Sequence, residues 1–176
     1  PPPSAGDVLP ANNCVAGTSL EANNCRLMGG QYVEWSSQKN FVIEADQPIS
    51  VAQFFAGQTA TGGGAIQGDP ALILLPPAEQ WRSNYTVLAA PSIADNYIGL
   101  VIDDSKVASV EVDGKAVPDF TPIPGTPFKA VNHPVSVGTH TIRVLGKPGQ
   151  KTLPGAGVTV YGFDSYVSYG YTGGLD

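Results

Sequence analysis

Charge is scarce in this sequence. Only 14% of its 176 residues are Asp, Glu, Lys or Arg, against roughly 25% in an ordinary soluble domain. Fifteen acidic residues outnumber nine basic ones, for a net charge of −6. That balance disfavours a nucleic-acid partner, which needs clustered Lys and Arg against phosphate. It also disfavours an anionic membrane surface. Long apolar runs are missing as well. The longest, Ala71 to Ala78 (ALILLPPA), is strand-length and contains two prolines, far short of the roughly 20 residues of a membrane span, so no membrane insertion is expected. With neither a Met start nor a charged-then-apolar signal segment, a mature or partial chain is expected. Catalytic patterns are equally thin: there is no Gly-x-Ser-x-Gly elbow, no His-Glu-x-x-His, no Cys-x-x-Cys and no P-loop. Thr61 to Gly68 (TGGGAIQG) has the wrong glycine spacing for a dinucleotide loop, and no helix follows it. Only two histidines occur, His133 before a proline and His140 at a strand start. A transition-metal site would therefore need remote carboxylates. Asp103-Asp104-Ser105-Lys106 reads as a solvated turn, without the spaced glutamate of a calcium loop. No catalytic residue, metal or cofactor is expected.

What is abundant is punctuation. There are 21 glycines and 16 prolines, while 42% hydrophobic content is enough for a folded core. No window of a dozen residues keeps a helical apolar period without a Gly or Pro inside it, whereas period-two stretches recur. Strands are expected in Lys39 to Ala45, Ile49 to Ala56, Asn84 to Ala90, Asn96 to Asp103, Gly138 to Gly146 and Gly157 to Asp164. Val110 and Val112 alternate into Asp113-Gly114, a dipeptide suited to a type I′ two-residue hairpin. Roughly eight to ten short strands, with little or no helix, predict an all-β antiparallel sandwich of jelly-roll type. A flexible leader over 1–9 and a single domain over 10–176 are expected.

Cysteine is limited to Cys14 and Cys25, each preceded by Asn-Asn and eleven positions apart. A disulfide between them would stabilise by about 3 kcal/mol on the chain-entropy estimate, and it would fit a secreted, turn-rich protein. Asn84-Tyr85-Thr86 is a candidate N-glycosylation sequon. Gly68-Asp69-Pro70 contains a labile Asp-Pro bond but lacks the histidine of self-cleaving sites, and reads as a turn into the next strand.

The chain closes on Tyr161 to Asp176 (YGFDSYVSYGYTGGLD), five aromatic rings among glycines. Taken as one strand, Tyr161, Phe163, Val167, Tyr169 and Tyr171 share a face, with Asp164, Tyr166 and Ser168 opposite. Two readings stand: a core-closing strand, its glycines allowing close approach, or a tyrosine platform for a sugar or protein partner. The platform would rest on Tyr166, Tyr169 and Tyr171. Trp81, beside Glu79 and Arg82 after a Pro-Pro pair, is either a core anchor or a fourth ligand-facing ring.

Several separate pieces occur in a recognisable order: Pro48 to Gln53 (PISVAQ), Gly68-Asp69-Pro70, the run from Pro77 to Tyr85, Gly138 to His140, and Ser168 to Leu175 (SYGYTGGL). In this order the chain, from about Val33 to Leu175, resembles the N-terminal domain of IgG-Fc-binding proteins, whose relatives occur in secreted bacterial proteins and animal mucus proteins. The resemblance implies an extracellular, cell-surface or secreted β-rich module for adhesion or ligand binding, without enzymatic activity. Its partner would be a glycoprotein, a glycan or a surface protein, with possible contact to another domain of the parent protein. The family's domain is longer, so this chain would correspond to its C-terminal portion. The alternative is a purely structural or assembly module. A carbohydrate-active enzyme on a jelly roll comes a distant third, because Glu34, Glu44, Asp69 and Glu79 are too scattered to form the paired carboxylates it needs.

Overall fold

The computed structural model describes residues 32–34, 37, 39–57 and 68–174. Cys14 and Cys25, the expected leader and the glycine-rich loop before Gly68 lie outside the described residues. The chain divides into two units, Pro1–Asp46 and Gln47–Asp176. In the first, the strand expected over Lys39 to Ala45 does not form. Alternation alone does not make a strand: the backbone must find a ladder partner, and none pairs with this stretch among the described residues.

Among the described residues, the second unit is all-β, with eleven strands and a single 3-10 turn at Ala78–Gln80. Its eleven strands are β1 (Val51–Phe54), β2 (Leu72–Leu75), β3 (Asn84–Ala89), β4 (Asp95–Asp103), β5 (Val107–Val112), β6 (Lys115–Ala116), β7 (Thr121–Pro122), β8 (Phe128–Val135), β9 (Gly138–Gly146), β10 (Ala156–Asp164) and β11 (Val167–Thr172). All pairings are antiparallel. They build a five-stranded sheet in the order β11-β10-β4-β8-β7, a four-stranded sheet in the order β3-β9-β5-β6 and a separate β1-β2 hairpin. The two larger sheets face each other as a sandwich. The core between them takes Ile98, Leu100 and Ile102 from β4, and Ala156, Val158 and Val160 from β10. The opposite sheet supplies Tyr85, Val87, Val110, Val112, Ile142 and Val144. These are the period-two positions of each strand, so one residue in two is drawn from water.

Asp113 and Gly114 adopt φ of 51° and 74°, and Val112 pairs directly with Lys115. Both turn residues are left-handed, as a type I′ hairpin requires. The closing stretch departs from the single-strand reading. It is a hairpin, β10 pairing with β11 from Asp164↔Val167 to Thr159↔Thr172. The turn at Ser165–Tyr166 reverses the chain, so Tyr161 and Phe163 do not share a face with Tyr169 and Tyr171. The former pair follows the outward parity of β10, while the latter pack against the core.

Candidate ligand-binding surface

Tyr169 and Tyr171 sit beside each other on β11, ring centroids 6.3 Å apart. Their hydroxyls are directed at the free edge of β3. Tyr171 Oη accepts from Leu88 N at 2.8 Å and donates to Leu88 O at 2.7 Å. Tyr169 Oη accepts from Ala90 N at 3.1 Å and donates to Asn96 Oδ1 at 2.5 Å. A sheet edge presents unpaired N–H and C=O groups, and here two phenols take the place of a neighbouring strand. Burial raises the Tyr169 pKa, a rise that the Ala90 N–H opposes and Tyr171 reinforces. Tyr166 lies apart from this pair, at the tip of the β10–β11 turn, 70% exposed and with φ of 54°. The same tip receives the Gly68-Asp69-Pro70 turn: Gly68 N donates to Asp164 O and Asp69 N to Ser168 Oγ, both at 2.8 Å.

Trp81 is on neither of these features. The 3-10 turn delivers it to the outer face of the five-stranded sheet, where its ring lies flat over Gly157. A Cβ added at Gly157 would stand 2.9 Å from the indole Cε2 and Cζ2. The Phe128 ring meets it edge-on at 5.9 Å. Gly155 leaves room for the Trp81 backbone itself. Tyr85 fastens this segment down. Its buried hydroxyl accepts from Arg82 N and donates to Ala156 O, each at 2.6 Å. Tyr85→Phe would strand both backbone groups. It is expected to cost about 1–3 kcal/mol of stability in denaturant unfolding, together with a red shift of Trp81 emission as the ring leaves its seat.

Further rings share that outer face. Tyr97 on β4 stacks on Tyr161 of β10 at 5.5 Å and 19°. Phe55 and Phe163 close around Tyr161 at 5.5 and 5.7 Å. Burial, then the neighbouring Tyr97, pushes the Tyr161 pKa up to about 12. Sequence reasoning passed over Tyr97 and set Tyr161 on the face of Tyr169 and Tyr171. The signal was available, since both alternate with core residues on their strands and so must face outward.

The remaining candidates are placed separately. Asn84 is exposed at the start of the edge strand β3, its amide 3.0 Å from Ser83 Oγ. With Thr86, Glu111, Thr141 and Arg143 it lines a shallow cavity of about 380 Å³ on the four-stranded sheet. Asp103 and Asp104 diverge to different lysines, Lys106 and Lys129, each at 2.9 Å. Among the described residues no group of three His, Cys, Asp or Glu side chains is placed to hold a metal ion.

The two facing antiparallel sheets define the class as an all-β sandwich. The chain matches the family model described as IgGFc binding protein over residues 11–162. It belongs to that family. No curated protein and no solved structure matches it.

Proposed function

We propose that this chain is a non-catalytic, extracellular module that binds a glycoprotein, glycan or surface-protein ligand. Family membership over residues 11–162 carries the reading. The outer aromatic face, with Trp81, Tyr97 and Tyr161 on one sheet surface, supports it. The Tyr161 phenol on it is held neutral by burial, which suits recognition rather than proton transfer. Among the described residues no helix is long and apolar enough to cross a membrane. The test is an array of glycans and glycoproteins, IgG among them. The folded protein is expected to retain at least one ligand, and silence on every spot would remove the reading.

A second reading, an assembly module, has its own observation. The register of the β1–β2 hairpin sets Ala52 beside Leu74 and Phe54 beside Leu72 on one face. Phe54, Leu72 and Leu74 are 67, 52 and 65% exposed. Contiguous exposed apolar side chains of this kind mark contact surfaces. If they mediate self-assembly, light scattering at rising concentration gives a mass above the monomer, and Phe54→Ser/Leu74→Ser returns it to one chain. A monomer at all concentrations, unchanged by the double substitution, would remove self-assembly.

A further inference from the structure

The outer face of the five-stranded sheet holds a neutral trough whose polar groups have no hydrogen-bond partner among the described residues. Its two ends are aromatic: Trp81 lies over Gly157, and the Tyr97–Tyr161 stack sits farther along the same strand. From Gly157 to Tyr161 is four residues of β10, about 13 Å at the rise of an extended strand. Between the ends, register aligns Asn132 of β8, Gly99 of β4 and Thr159 of β10 in one row across the sheet. A side chain at Gly99 would meet Thr159 Oγ1 at 2.5 Å and Asn132 Oδ1 at 3.6 Å. The glycine thus keeps the floor low and brings the hydroxyl and the amide together. Glycine inside a strand marks close approach of this kind.

The Tyr97 and Tyr161 hydroxyls, the Thr159 hydroxyl, the Asn132 amide and the Trp81 indole N–H have no hydrogen-bond partner among the described residues. Tyr161 is half-buried. Trp81, Tyr97 and Thr159 are half-buried as well and Asn132 is exposed, so all five groups are open to an incoming ligand, and they include both donors and acceptors. Tyr169 and Tyr171, by contrast, have their hydroxyls engaged, Tyr171 with the Leu88 backbone of β3 and Tyr169 with Ala90 N and Asn96 Oδ1.

From this we infer that the trough is the ligand-binding site and that its ligand is a short neutral oligosaccharide. The rings present flat apolar surface to the C–H faces of sugar rings. The hydroxyls and the amide between them match sugar hydroxyls, which also both donate and accept. No charged side chain lies in the row. The carboxylates on the same parity, Asp95 and Asp103, stand at the two ends of β4; Lys106 offsets Asp103, and Asp95 disfavours acidic sugars. This rests on the ligand-binding reading above and adds to it a place and a ligand class.

The experiment is titration of the full chain with a panel of neutral oligosaccharides, sialylated or sulfated counterparts, and IgG. Affinity is followed by calorimetry and the site by NMR of the indole N–H resonances, Trp81 being assigned by Trp81→Phe. A neutral sugar is expected to bind and to shift the Trp81 indole resonance. Asn132→Ala and Thr159→Ala are surface changes that leave the core intact, and each should weaken binding about tenfold. Tyr97→Ala should weaken it at least as much. Tyr166→Ala, at the hairpin tip, should leave it unchanged. Neutral-sugar binding that survives Asn132→Ala and Tyr97→Ala but falls with Tyr166→Ala would move the site and overturn the trough. A preference for acidic sugars, or for IgG with no competition by neutral sugar, would overturn the ligand class while leaving a binding module. No ligand at all from a folded chain would overturn this inference and the binding reading together.

Discussion

Replacing Leu100 by Ala is expected to remove about 2–5 kcal/mol of stability, measured by urea unfolding as a fall in midpoint with an unchanged slope. Leu100 is 1% exposed in the middle of β4. Its strand lies between β10 and β8, and it pairs with Val158 on one side and Val131 on the other. Its side chain points into the layer shared with Val110, Ile142 and Val144 of the opposite sheet. Two strands hydrogen-bonded to β4, one on each side of this position, leave the backbone little freedom to collapse, so the cavity stays open and its cost adds to the lost transfer free energy. Against a total stability of about 5–15 kcal/mol for a single domain, one such substitution consumes a large share. Leu88→Ala is the matched control, 54% exposed on the outer face of β3. It is expected to change stability by no more than about 0.5 kcal/mol. Equal losses at the two positions would contradict the assignment of the core to the layer between the sheets.

The alternation that identifies Leu100 as core is the same alternation that made the fold class legible. β3, β4, β9 and β10 all lie where apolar and polar residues take turns, and Asp113-Gly114 announces its hairpin by residue type alone. Legibility ends where structure depends on distant partners or on a disguised turn. Lys39 to Ala45 alternates as well as any strand, yet no partner pairs with it among the described residues. The turn between β10 and β11 contains no glycine or asparagine. It places Tyr166, a residue unsuited to φ of 54°, in the left-handed region, so a parity count runs straight through it. That error put Tyr161 and Tyr171 on one face, when the hairpin turns the first outward and the second toward the β3 edge. Trp81 illustrates the other limit. Its seat is made by Gly155 and Gly157, whose missing side chains matter only once the Tyr85 hydroxyl, reaching Ala156 across 71 residues, has tied it to Arg82. No local pattern encodes that meeting. Tyr97 and Tyr161 were readable as outward residues, but their stacking follows from strand order, which the sequence does not display.

Strand order also brings the buried His140 ring against the part-exposed Asp113 carboxylate, and with it a pH dependence of stability. His140 of β9 is 6% exposed. Its Nδ1 lies 2.6 Å from Asp113 Oδ2 and its Nε2 lies 2.7 Å from the Ser136 carbonyl. Both ring nitrogens face acceptors, so only the imidazolium, with two N–H donors, satisfies both. Burial opposes that charge. The hydrogen bond donated to Asp113, then that to the Ser136 carbonyl and the charge of Asp113, outweigh it and raise the His140 pKa above its ordinary value. Asp113 is lowered in turn, first by the His140 hydrogen bond and then by the Thr141 N–H, which it accepts at 2.9 Å. A raised histidine stabilises the fold in full below its ordinary value and loses that contribution as pH climbs through the raised one. A lowered aspartate contributes above its ordinary value and loses the contribution as pH falls through the depressed one. The pair is therefore expected to stabilise most between about pH 4 and 6.5, with a decline on the alkaline side as the imidazolium gives up its proton. Asp113→Asn is the informative variant, because Asn tolerates the left-handed turn geometry while removing the charge. Melting curves from pH 5 to 9 should show the wild type losing its advantage over Asp113→Asn as pH rises, and an NMR titration should place the His140 midpoint above the usual histidine value. A constant difference between the two proteins across that range would mean that His140 is neutral in the folded chain and that the contact is an ordinary hydrogen bond.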